Sequence, residues 1–256
     1  MNRALWFFAL IWPLSAVAQI RLIEEPQSQT VFAGTGQTVC VELRNVGDAL
    51  VEKDVELRLF QISVGSVVPI RASRPWKRIR MLPHQTILEN VPVDFPAIRA
   101  ASRFRIELSG VGSMTVIAYP PDLLKRLDQL AGDLPLALFD PDRHLKPALK
   151  QANVHVADFE TDPTDSKLAI VWSNDRNLPE AVKSRVTRGM SAVWIRSSVV
   201  PTSYAVHLGN GVVVLTPPCL LNDLADSPSS QLTLIRDAEL ALQPELLRLP
   251  SDNQAE

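Results

Sequence analysis

Between Ile20 and Tyr119 apolar and polar residues alternate in short runs broken by turn residues. In QTVCVELR, Val39, Val41 and Leu43 fall on one face, and Thr38, Cys40 and Glu42 on the other. DVELRLFQI repeats the pattern with Val55, Leu57 and Leu59, and WKRIRML, HQTILENVPVDF, SRFRIELSG and SMTVIAY continue it. TVFAGTGQTVCVELRNVGD reads as two strands around a Gly-rich turn. Seven or eight strands at this spacing, with no helical period, predict an all-β sandwich over residues 19–119.

Two prolines, Pro120 and Pro121, close that region, and the period then changes. Leu123, Leu124, Leu127 and Leu130 form the apolar stripe of a helix that Asp122 can cap and Gly132 ends, predicting a connector over 120–133 that docks one domain on the other. From Leu134 to Leu249 unbroken apolar runs (LALFD, VHVADFE, KLAIVWS, SAVWIRS, GVVVLTP) alternate with the helical segments DRHLKPALKQA, LPEAVKSRVTRG and SPSSQLTLIRDAELALQPELLRL. Continuous apolar strands separated by helices predict a three-layer α/β domain with a mostly parallel sheet over 134–249. The polar end, residues 250–256, reads as a flexible tail.

Composition adds a destination. Residues 1–18, MNRALWFFALIWPLSAVA, combine Arg3, an apolar run and the triplet Ala16-Val17-Ala18, the layout of a secretory signal peptide cleaved before Gln19. An uncleaved N-terminal anchor is the alternative, although Pro13 interrupts a run already short of the roughly 20 residues that span a bilayer. Export to the periplasm or medium follows, with no direct membrane insertion after cleavage. Lys and Arg total 26 against 28 Asp and Glu, so no nucleic-acid partner is implied. Cys40 and Cys219 are the whole thiol inventory. An oxidising compartment permits one disulfide, but two unpaired and mostly shielded thiols are the favoured reading.

Two family likenesses sharpen these expectations. VCVELRNVGDALVEKDVELRLFQ resembles bacterial extracytoplasmic immunoglobulin-like modules, in which a strand ends at Asn-x-Gly before the next begins. The later order of elements, especially VTRG followed by SAVWI, resembles class I glutamine amidotransferase-like domains. Catalytic members of that family carry a Cys on a Gly-x-Cys-x-Gly turn and a later His-x-Glu pair. Here the corresponding strand runs into IRSSVVP, and His207 is followed by Leu208 and Gly209, so the resemblance implies a degenerate domain without the catalytic set.

Ligands of α/β sheets bind outside the carboxyl ends of the strands. The candidate ligand-binding residues are therefore Asp140, Asp142, Ser173, Asp175 and Ser197, with Asp158, Glu160, Asn174 and Ser198 beside them. Asp140 and Asp142, with His144, could hold a cation or amine, but an Asp at a strand-to-helix junction is more often a cap. Trp172 and Trp194 end central strands and either line a groove or pack in the core. No catalytic residue, metal site or cofactor motif is assigned, since the four His residues lack ligand spacing and no Gly-rich phosphate loop is present. The expectation is a non-catalytic envelope binding or scaffold protein whose partner is another envelope protein. Its rivals are a hydrolase or transferase working at the strand ends, and a small-ligand sensor.

Overall fold

The computed structural model describes residues 19–23, 28–34, 36–161, 165–196, 202–221, 223–243 and 245. The signal-peptide reading (1–18), Ser197, Ser198 and the tail (250–256) lie outside them. The protein is mostly β, with few helices, and its contacts group into two compact units that change over between Ile117 and Ala118; Thr30–Gly34 and Ala97–Ala101 group with the second.

Among the described residues nine strands precede Pro120: β1 (Ile20–Ile23), β2 (Gln29–Phe32), β3 (Gln37–Asn45), β4 (Val51–Ser63), β5 (Ser66–Pro69), β6 (Arg74–Met81), β7 (Thr86–Val93), β8 (Ser102–Leu108) and β9 (Gly112–Tyr119). They form a sheet ordered β1-β3-β7 and a second ordered β2-β9-β8-β4-β5, with β6 also paired to β4. Alternation selects the buried faces as expected: Val39, Val41 and Leu43 are buried on β3, and Val55, Leu57 and Leu59 on β4. Nine exceeds the expected seven or eight. Strand β1 has only four residues, and every residue of β5 is exposed, so neither carries a long alternating signal. The Gly-rich turn at Gly34 and Gly36 does not make a hairpin, because β2 pairs in one sheet and β3 in the other. Positive φ values of 128° and 73° at these glycines give the chain the freedom to change sheets there.

Asn45 shows what the Asn-x-Gly sequence does. Its buried carboxamide accepts the Gly47 N–H at 3.0 Å and donates to the carbonyls of Ala49 at 2.8 Å and Leu82 at 3.0 Å. One side chain thus satisfies backbone groups of two separate turns.

The second unit holds α1 (Arg126–Ala131), β10 (Leu136–Phe139), α2 (Lys146–Gln151), β11 (Val156–Asp158), β12 (Leu168–Trp172), α3 (Glu180–Thr187), β13 (Ser191–Ile195), β14 (Tyr204–Leu208), β15 (Gly211–Thr216) and α4 (Pro228–Leu242). A 3-10 turn at Leu123–Lys125 leads into α1. Leu124, Leu127 and Ala131 are buried in this unit's own core. Asp122 makes no cap hydrogen bond: at φ −97° and ψ 25° its backbone is not extended as a cap requires. Gly132, at φ 73°, ends α1 as its position predicts.

Six strands run in the order β11-β10-β12-β13-β15-β14; all neighbours pair in parallel except β14, which returns antiparallel along β15. The continuous apolar strands are explained by burial on both faces. Leu136, Leu138, Ile170, Val193 and Val214 join the core under α1, α2 and α4, while Ala137, Ala169, Val171, Ala192 and Val213 join the one under α3. Helix α2 begins at Lys146, later than the DRHLKPALKQA pattern suggests, because Asp142 to His144 form the loop in front of it. Strand β14 was not expected. Its residues are half-buried or exposed, and YAVHL lacks the continuous apolar run of the inner strands.

Candidate functional site

The order β11-β10-β12 places the topological switch of the second sheet between β10 and β12. From β10 the chain crosses by α2 to β11 on one side, and from β12 it crosses by α3 to β13 on the other. The two crossovers pack on opposite faces, since α2 contributes Leu149 to one core and α3 contributes Val182 to the other. A crevice at such a point is where ligands of open α/β sheets bind. Asp140 follows β10 and Ser173 follows β12, so the structure brings two of the expected residues to this place.

Both are occupied. Asp140 Oδ1 accepts the His144 N–H at 2.9 Å, and Oδ2 accepts the N–H groups of Leu145 at 2.8 Å and Lys146 at 2.9 Å. A carboxylate holding three otherwise unpaired amides at a helix start is the cap, not the free ligand, of the two readings the sequence leaves open. Ser173 is buried; its hydroxyl donates to Asp175 Oδ2 at 2.7 Å and accepts the Asp175 N–H at 3.1 Å. Asp142 is exposed, with only the His144 imidazole at 4.0 Å. That imidazole lies against the Trp172 ring, centroids 4.7 Å apart, and covers the end of β12. Asp158 at the end of β11 is tied to the Lys146 ammonium. The structure therefore gathers Asp140, Asp142, Ser173 and Asp175 near one edge without converging them on a common point by any hydrogen bond. Ser197 falls outside the described residues.

Two features of this edge escape sequence reasoning. Asp237 of α4 is fully buried; its Oδ2 accepts the hydroxyls of Ser203 at 2.6 Å and Thr216 at 2.8 Å, joining α4 to the ends of β14 and β15. Its Oδ1 has no hydrogen-bond partner and only the Arg236 guanidinium at 3.5 Å. A lone Asp within an apolar helical pattern, facing the core, is the signal that could have found it.

The other is a groove of about 420 Å³ between α3 and the β14–β15 pair, with Trp194 in its wall. Trp194 is 6% exposed, so both alternatives offered for it hold: it packs in the core and lines a groove. At the start of β15 only glycine fits at position 211, because a Cβ there would meet the carbonyl oxygens of Met190 and Val186 at 2.2 and 2.4 Å. The hairpin thereby sits directly on the end of α3.

Both cysteines are unpaired and exposed, not shielded. Cys40 lies on the polar face of β3, where the alternation that buries Val39 and Val41 turns it outward. Among the described residues no three His, Cys, Asp or Glu side chains are grouped to hold a metal ion, and no helix is long and apolar enough to cross a membrane. Asp94 of the first unit has its pKa lowered, chiefly by the Gly36 N–H it accepts at 3.0 Å, with Arg71 and Arg74 adding to the effect.

No family model matches the chain, and no curated protein matches it. Among solved structures it is similar to a β-glucosidase from Listeria innocua, at 11% identity and a TM-score of 0.28, over 40% of this chain and 16% of that one. A β-glucosidase from Erythrobacter marinus matches at 13% identity and a TM-score of 0.28, over 40% and 15%. The alkylpurine DNA glycosylase AlkC of Pseudomonas fluorescens matches at 14% identity and a TM-score of 0.28, over 40% and 31%. The chain thus spans less than a third of each of these proteins, and likenesses this slight carry no argument about fold or function.

Proposed function

We propose that the protein is a non-catalytic binding or scaffold component of a bacterial cell envelope, exported to the periplasm or medium, with an immunoglobulin-like module followed by a degenerate amidotransferase-like domain. One observation carries the reading: at the strand ends where an α/β enzyme would keep its reactive groups, most of the described polar side chains are spent on the fold. Asp140 holds three amides, Ser173 and Asp175 hold each other, and the His144 ring lies on Trp172. A nucleophile needs a base within hydrogen-bond reach, and a base needs a third group to orient it. Among the described residues of this edge no such chain is formed.

The envelope partner finds support in the hairpin of β4 and β5. Val64, Val67 and Val68 are exposed there, and Val64 and Gly65 form its two-residue turn. Apolar side chains on a projecting edge strand are a common means of engaging another protein. Mild crosslinking of the tagged protein in its native envelope, followed by identification of what is captured, tests the reading. A specific partner lost on Val67→Asp and Val68→Asp substitution is expected. Turnover of acyl or amide substrates by purified protein, abolished by Ser197→Ala or Asp140→Ala, would overturn it.

A further inference from the structure

We infer that the groove beside α3 is a binding site for a small apolar carboxylate, a molecule with a hydrocarbon body and one anionic oxygen pair. This goes beyond the partner reading and does not depend on it. The body of the site is apolar: Val213 and Leu215 form the floor, Leu178 and Val206 stand at its sides, and Glu180 and Lys183, 3.3 Å apart, sit at the rim of α3. Register explains the composition. Tyr204 and Val206 of β14 lie opposite Leu215 and Val213 of β15, so all four share the face that α3 packs against. Val206, which lines the groove, remains 44% exposed and leaves apolar surface at the mouth. A volume of about 420 Å³ is in the range of small-molecule pockets, roughly 300–1,000 Å³.

Trp194, in the wall of the groove, carries a donor without an acceptor, and Arg196, stacked on its ring but outside the lining, carries a second. Trp194 Nε1–H is buried and makes no hydrogen bond, and neither does Arg196 Nε–H. They belong to one stacked pair, for the Arg196 guanidinium carbon lies 4.7 Å from the centre of the Trp194 ring. Arg196 is itself held by its Nη1, which donates to the Arg176 carbonyl at 2.7 Å. Buried donors are nearly always paired, and leaving one unpaired is costly. Two in one place, one of them cationic, call for an anionic acceptor with more than one oxygen. A carboxylate meets that need while its hydrocarbon part covers Val206 and Val213.

Decanoate and decanol are the probes. Decanoate should bind saturably, one per chain, and move the indole N–H resonance of Trp194 downfield in a proton–nitrogen correlation spectrum. Trp194→Phe keeps most of the ring volume and should weaken decanoate about tenfold, the loss of one buried hydrogen bond. Arg196→Gln should abolish the preference for decanoate over decanol, and Val206→Arg, a change at an exposed position that leaves folding intact, should block both. No saturable shift with decanoate, equal affinity for decanoate and decanol in the unsubstituted protein, or unchanged binding in Trp194→Phe and Val206→Arg would each overturn the inference. Capture of an envelope partner is unaffected by any of these results, so the two readings fail separately.

Discussion

The two sides of the second sheet's carboxyl edge differ in how their polar groups are used. On the β10–β12 side, Asp140, Ser173 and Asp175 are bonded within the loops that carry them, and Lys146 closes on Asp158. On the β13–β14 side, Trp194 and Arg196 keep two unpaired donors in one stacked pair, whereas the β10–β12 side leaves one buried donor, the Trp172 Nε1–H, without an acceptor and the His144 ring packed against that indole. The switch point marks where a ligand could bind, but local chemistry decides whether anything is left to bind it. A polar residue at a strand end is therefore weak support for function until its partners are known.

Substitutions sharpen this contrast in descending order of effect. Gly211→Ala on the β14–β15 hairpin should cost about 3 kcal/mol or more, since its new methyl would collide with two backbone oxygens of the α3 end. Asp140→Ala should cost about 2 kcal/mol by releasing the amides at the start of α2, and a shift of the urea midpoint at unchanged slope would register it. Asp140→Asn, which retains an acceptor, should lose less. Ser173→Ala breaks a single partly buried pair and should cost about 1 kcal/mol. If either substitution instead stabilised the protein, the β10–β12 side would be holding strain for function, and the contrast would fail.

The smallest effect belongs to the first unit. Asp94 has a folded pKa below its ordinary value of 3.8, so its contribution to stability is present above that value and disappears as pH falls through the lower, folded one. Asp94→Asn should lower stability slightly at neutral pH, where the contribution is fully present, and make the acid limb below about pH 4 slightly shallower, the two proteins converging in acid. Because the carboxylate reaches solvent, salt should diminish the difference.

What the sequence disclosed depended on how local the cause was. Alternation exposed the buried faces of β3 and β4, because a strand's two sides are written at successive positions. The cap role of Asp140 was legible for the same reason: an Asp just before a helix meets amides only a few residues away. Strand β14 was not, since an edge strand lacks the double burial that marks its neighbours. Nor was the Trp194 groove, whose walls come from α3, β13, β14 and β15 and meet only after the sheet has formed. The Asp237 bonds to Ser203 and Thr216 reach across 34 and 21 positions, beyond any local pattern.

Calorimetric titration of decanoate into Asp140→Asn and Trp194→Phe proteins, run side by side, tests the contrast most directly. The account predicts that Asp140→Asn binds as the unsubstituted protein does, while Trp194→Phe binds about tenfold more weakly. Weakened binding in Asp140→Asn with full affinity in Trp194→Phe would contradict it.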